Sequence, residues 1–151
     1  MTVWGDFVAE FVAQNIPGCE RGFGPCQAMG FVDDGELVAG FVYHNWSPEY
    51  ETIEVSGASS KRKWANPDRL SAIFAYPFEE IKCRMVVARH SEHNKRVRRI
   101  WRSIGADEYI IPQLRSPTEA EVIATLRRDQ WLNSKFQRQM RRCTMSETVA
   151  G

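Results

Sequence analysis

Two β-rich runs, residues 26–32 and 36–46, meet at Asp33-Asp34-Gly35. An Asp-Gly pair between such runs is a strong hairpin signal, because the tight turns that match strand twist need backbone at positive φ. What surrounds this hairpin decides the fold class. Residues 3–15 place Val3, Phe7, Val8, Phe11 and Val12 at helical spacing, which predicts an amphipathic helix ending before Pro17-Gly18. After a turn at Ser47-Pro48, residues 50–58 alternate Ile53, Val55 and Gly57 with Thr52, Glu54 and Ser56, the pattern of a third strand.

Downstream the period changes. Pro67 suits the first turn of a helix capped by Asn66, and Leu70, Ile73, Phe74, Pro77, Phe78 and Ile81 form its apolar stripe. Pro77 is expected to loosen its end. Residues 83–89 read as a strand around Val86 and Val87. Asn94 opens a further helix, with Val97, Ile100, Trp101 and Ile104 on one face and Gly105 as its C-terminal stop. Residues 109–114 form a strand, and 121–130 suit either helix or strand; the strand, pairing back on 109–114, is favoured. Residues 131–142 add a short basic helix, and 143–151 form a loose tail. The order α, β-hairpin, β, α, β, α, β, β describes one mixed α/β domain over residues 1–142.

A chain of 151 residues suits one domain, and its 43% apolar and 26% charged residues are globular values. No apolar run approaches the ~20 residues of a membrane span, and the acidic start lacks the marks of a signal peptide. The expectation is a cytoplasmic protein without a membrane partner. Cys19, Cys26, Cys83 and Cys143 show no CxxC spacing and read as reduced thiols. His90 and His93, with Cys83 nearby, lack a second ligand pair at zinc spacing, so no metal is expected.

Charge is divided unevenly. Residues 1–60 hold nine acids and one base, Arg21, while residues 61–103 hold twelve bases and four acids. Such a split suits one side facing phosphate and another facing a cation.

The stretch Asn94, Val97, Trp101, Ile104, Gly105, read together with Tyr76-Pro77-Phe78 and the strand from Cys83 to Ala88, resembles the GNAT superfamily of N-acetyltransferases. The resemblance is to the branch that acetylates protein N-termini and its phage and prophage relatives, and it covers about residues 36–110. It implies a mostly antiparallel central sheet flanked by helices, with acetyl-CoA or another acyl-CoA as co-substrate. The acceptor it implies is an amine, on a small molecule or a protein N-terminus.

In that family the CoA arm pairs with the strand corresponding to residues 50–58, and the pyrophosphate sits at the N-terminus of the next helix, where free N–H groups favour anions. The resemblance therefore implies Lys61, Arg62, Lys63, Ala65 and Asn66 as phosphate-binding residues, and Asn94 and Arg98 as holders of the CoA arm and nearby phosphate. Arg62 and Trp64 stand where the family's loop carries glycines, so side chains must replace some backbone contacts. Glu54 is the candidate base for the acceptor amine, and the acidic N-terminal half, with Glu54 and Asn45, would face the cationic acceptor. The family's tyrosine acid corresponds to Trp101, whose indole N–H is no useful acid; Ser103, Tyr109 or water would serve instead.

Two other readings stand beside this one. Residues 82–103 carry eight bases against Glu92, and Arg138, Arg141 and Arg142 follow, which suits nucleic acid as partner on the same fold. The altered loop also fits a non-catalytic domain. The oligomeric state stays open, with a dimer as one option.

Overall fold

The computed structural model describes residues 1–137. The expected tail and the arginines at 138, 141 and 142 lie outside them. Seven strands occur among the described residues, every pairing described below is antiparallel, and helices flank them, so the chain is of the mixed α/β class. It divides into two compact units, residues 1–83 and residues 84 onward.

The first unit starts with β1 (Thr2–Trp4), α1 (Asp6–Asn15), β2 (Cys26–Asp33), β3 (Glu36–Ser47) and β4 (Thr52–Ser59). The hairpin forms as expected: Asp33 pairs with Glu36, with Asp34 at φ 52° and Gly35 at φ 77° between them. Residues 3–5 correct the sequence reading, which ran the first helix back to Val3. Thr2, Val3 and Trp4 instead pair with Phe31, Gly30 and Met29, and Val32 N–H donates to the Met1 carbonyl at 2.8 Å. Strand pairing satisfies these backbone groups better than an extra helical turn on an exposed terminus would.

Strand parity divides the residues of this sheet between two faces. On one face α1 lays the fully buried Val8 and Val12 against Ala28 and Val42. The fit is close at Gly40, where a Cβ would come within 2.8 Å of both valine side chains. On the other face Tyr43, Ile53 and Val55 are buried, and the Tyr43 hydroxyl donates to the Ile73 carbonyl of α2 (Pro67–Ala75). Helix α2 begins as expected, with Pro67 in its first turn and Asn66 Oδ1 accepting the Arg69 N–H at 2.8 Å. It ends in a π turn, Tyr76–Glu80, closed by Ile81 N–H on the Tyr76 carbonyl. Pro77 has no N–H to give to the helical ladder, which is where the regular winding stops.

The second unit contains β5 (Met85–Ser91), α3 (Lys95–Ile104), β6 (Asp107–Ser116), β7 (Glu119–Arg127) and α4 (Arg128–Leu132). The ambiguous segment 121–130 is strand as far as Arg127, while residues 128–130 belong to α4. β7 lies between β5 and β6, bonded to both, which explains why Val122, Ala124 and Leu126 are completely buried. Both ends of α3 match the sequence reading: Asn94 Oδ1 accepts the Val97 N–H, and Gly105 sits at φ 102°. Of the basic helix expected over 131–142, residues 131–132 end α4, which starts at Arg128, residues 135–137 are helical again, and the remainder lies outside the described residues. No helix among the described residues is long and apolar enough to cross a membrane.

Candidate functional site

In the first unit, β3 and β4 bring three polar side chains together on the face that carries α1. His44 is directly opposite Glu54 in the register, and Ser56 follows Glu54 on the same face. His44 Nε2 lies 2.9 Å from Ser56 Oγ and 3.4 Å from Glu54 Oε2. The imidazole is 6% exposed and tilts against the Phe23 ring at 4.9 Å. Burial pushes its pKa below the ordinary value of 6.5, outweighing the attraction of Glu54, so His44 is neutral at pH 7.

The β3 ladder is interrupted just past His44. Asn45 and Trp46 are passed over between the His44–Glu54 and Ser47–Thr52 pairs, and Asn45 takes φ 53°. Such a bulge re-aims the side chains beside it. Here Asn45 Nδ2 comes to 3.5 Å from Glu54 Oε1. Glu54 thus sits as expected on the strand face opposite buried Ile53 and Val55, and Asn45 is beside it. His44 and Ser56 were missed by sequence reasoning. Their alternation with Asn45 and Glu54 was visible, but the register that joins the two strands was not.

The segment before α2 forms a 3₁₀ turn, Arg62–Trp64. Lys61, Arg62 and Lys63 are exposed, and Lys61 pairs with Glu36 at 3.3 Å. Trp64 turns the other way. It is 5% exposed, stacked on Phe31 with centroids 6.2 Å apart and tilted against Phe41 at 5.0 Å. Where the resembled family has a glycine, this chain has an aromatic anchor that ties the turn to the core.

That anchor changes what the helix terminus can offer a phosphate. Pro67 has no N–H, the Arg69 N–H goes to Asn66 Oδ1, and the Leu70 N–H goes to the Asn66 carbonyl. The Asp68 amide is left, beside its own carboxylate. The Asn66 side chain and carbonyl thus shape the start of α2, and the exposed cationic side chains before it add an anion-attracting surface.

In the second unit, Asn94 is engaged as the cap of α3. Arg98 donates to both Glu108 oxygens and to the Glu92 carbonyl, and Arg102 also pairs with Glu108. Arg89 and Arg115 share the buried Glu121. Part of the basic run is thus neutralised inside its own unit. Trp101 is buried, as its core reading requires, while Ser103 donates to the Ile100 carbonyl and Tyr109 is exposed. His90 is buried in β5 and His93 lies in the exposed turn after it.

No protein-family model and no curated protein sequence matches the chain. Solved structures do match. A ribosomal-protein-S5-alanine acetyltransferase from Vibrio fischeri superposes with a TM-score of 0.60 at 10% identity, over 70% of this chain and 63% of its own. A spermidine N-acetyltransferase from Vibrio cholerae gives 0.63 at 10% identity, over 85% and 78%. A GCN5-related N-acetyltransferase from Brucella melitensis gives 0.60 at 15% identity, over 75% and 55%. The chain has the GNAT acetyltransferase fold. It spans less than two thirds of the first and third of these GNAT structures.

Proposed function

We propose that this chain is an acyl-CoA-dependent N-acyltransferase, with acetyl-CoA as donor and an amine as acceptor. The observation that carries the reading is the Glu54 carboxylate, held on β4 with His44 and Asn45 around it. Acyl transfer to an amine requires a neutral nitrogen, so a proton must leave the acceptor's ammonium, and a carboxylate backed by an imidazole supports that loss. The fold shared with N-acetyltransferases is the second support.

Lys61, Arg62 and Lys63 hold the CoA phosphates in this reading, with side chains replacing the amide cradle that Pro67 and Asn66 remove. Asn94 and Arg98 are proposed for the CoA arm on the family resemblance alone. The acceptors named for two of the matched structures, a ribosomal-protein alanine and spermidine, are both amines, and they define the first panel to screen.

Calorimetric titration with acetyl-CoA tests the reading, followed by thiol release with polyamines, aminoglycosides and peptides bearing free N-termini. A ligand at 100 times its dissociation constant stabilises its protein by about 2.7 kcal/mol. No heat and no thermal stabilisation would end the acyl-CoA reading. A salt-sensitive shift of a generic duplex would favour nucleic acid instead, although Arg89, Arg98 and Arg102 already have acidic partners.

A further inference from the structure

We propose that the acceptor's proton comes to rest on His44, relayed through the Ser56 hydroxyl, and that Glu54 serves to hold the imidazolium so formed. This inference rests on the acyl-transfer reading and deepens it by separating two roles that Glu54 alone would otherwise fill.

The geometry distinguishes the two neighbours of Nε2. The Ser56 hydroxyl is at hydrogen-bonding distance, 2.9 Å, while the nearest Glu54 oxygen is at 3.4 Å. The relay uses the neutral tautomer that carries its proton on Nδ1, in which the Nε2 lone pair accepts the Ser56 hydroxyl 2.9 Å away. Glu54 then stands near without a proton to share. Once Nε2 is protonated, both groups become acceptors for it and the carboxylate contact gains its full charge attraction. Among the described residues on this face around the ring, Glu54 supplies the charge, Ser56 the hydroxyl and Phe23 an apolar wall, and Cys26, opposite His44 on β2, adds a thiol that burial keeps protonated.

The proton balance is simple. An N–H bond of the acceptor ammonium breaks as an O–H bond forms at Ser56, and the proton Ser56 carried moves to Nε2. The freed nitrogen lone pair attacks the thioester carbonyl, the C–S bond breaks, and the second proton that the nitrogen sheds as the amide forms passes to the departing CoA thiolate. Net, an ammonium and an acyl-CoA give an amide, CoA thiol and one proton, which His44 later returns to water. An imidazole suits this task at neutral pH better than an ordinary carboxylate does, because a catalytic base works best with a pKa near the working pH.

Ring-selective NMR titration of His44 and the pH profile of kcat/KM test the proposal on the intact protein. Wild type should titrate below the ordinary histidine value, and Glu54→Gln should lower the titration point further, since it removes the attracting charge. A titration point that Glu54→Gln leaves unmoved would overturn the pairing, whether or not turnover is measured. On an acceptor found by the screen, the acid limb of kcat/KM should coincide with the His44 titration, and His44→Asn should abolish that limb with a rate loss of roughly 10²–10⁴-fold. If His44→Asn does not fold, Ser56→Ala reads the same path. It should slow turnover while acetyl-CoA affinity remains in place, and undiminished turnover in Ser56→Ala would overturn the relay. An acid limb that survives His44→Asn and vanishes in Glu54→Gln would assign the proton to Glu54. A wild-type protein that binds no acetyl-CoA fails the acyl-transfer reading itself, a result obtained before any variant is made.

Discussion

Arg69, in the first turn of α2, grips Asp33 at the end of β2 with both terminal nitrogens, and the same guanidinium donates to the Trp64 carbonyl at 3.0 Å. It also lies 5.0 Å above the Phe31 ring. One side chain thus fastens the hairpin, the basic turn and the helix together. Arg69→Met should therefore lower the thermal midpoint more than Asp33→Asn, and should redden Trp64 fluorescence as the turn loosens. The Arg69 hydrogen bond holds the Asp33 carboxyl below its ordinary value of 3.8. The lowered pKa gives the sign: this contribution is present above pH 3.8 and is lost as pH falls through the folded value. Acid-melting curves of wild type and Asp33→Asn should differ above that point and converge below it.

Trp64 stands where the resembled loop carries glycine, and its ring is in the core. Trp64→Ala should cost about 3–5 kcal/mol, the usual range for truncating a buried large aromatic. Trp101→Ala, in α3, should fall in the same range because that indole is also buried. Denaturant unfolding reads both. A Trp64→Ala protein of wild-type stability would show that the turn does not depend on its anchor.

Gly40 faces Val8 and Val12 of α1 where a Cβ would meet both at 2.8 Å. Branched side chains fixed in a helix give way poorly, so Gly40→Ala should cost about 1–3 kcal/mol through overpacking. Gly35, by contrast, has nothing within 4 Å of a Cβ, and its φ of 77° makes substitution a matter of backbone strain alone. Gly35→Asn should be tolerated better than Gly35→Val, since Asn accepts the left-handed region.

Local chemistry was legible in the sequence, and non-local register was not. The Asp33–Gly35 turn, the Asn66-Pro67 helix start and the Asn94 and Gly105 caps depend on residues a few positions apart, and each forms where its pattern predicts. β1 was hidden because Val3, Phe7 and Val8 happen to keep helical spacing, while the pairing of Val3 with Gly30 depends on a strand 27 residues away. The same limit concealed the polar cluster. Glu54 could be chosen from its strand, but His44 and Ser56 join it only through a cross-strand register shaped by the bulge at Asn45. The inward turn of Trp64 depends on Phe31, Phe41 and Arg69, so the glycine departure was visible but its structural consequence was not.

His90 introduces an acid-sensitive point into the second unit. It is 7% exposed, its Nε2 lacks a hydrogen-bond partner among the described residues, and burial pushes its pKa below 6.5. Glu108 and Glu121 pull it upward and Arg98 and Arg115 push it down, with burial dominant. A histidine kept neutral by folding contributes stability above the unfolded pKa, and that stability is lost as pH falls from 6.5 through the folded value. Wild type should lose thermal stability over that window, and His90→Gln should flatten part of the loss. An unchanged slope in His90→Gln would assign the acid sensitivity to another group.

The basic turn gives the most direct test of the proposed donor site. Lys61 has an exposed partner in Glu36, and a pair of this kind contributes little to stability because water screens both charges. Lys63 is exposed as well, and Arg62 projects from the same 3₁₀ turn. Removing these three charges should therefore leave the fold intact, since Trp64 and Arg69 fasten the turn from within. If the side chains hold CoA phosphates, each lost contact should weaken binding by about tenfold or more, the worth of a hydrogen bond to a charged group. The Lys61→Ala, Arg62→Ala, Lys63→Ala triple variant should then keep the wild-type melting midpoint in the absence of ligand. Its acetyl-CoA affinity should fall by several orders of magnitude, and the salt dependence of binding should flatten with it. Titration at two ionic strengths separates this outcome from a general loss of structure. Wild-type affinity in a stable triple variant would show that these three side chains do not hold the phosphates.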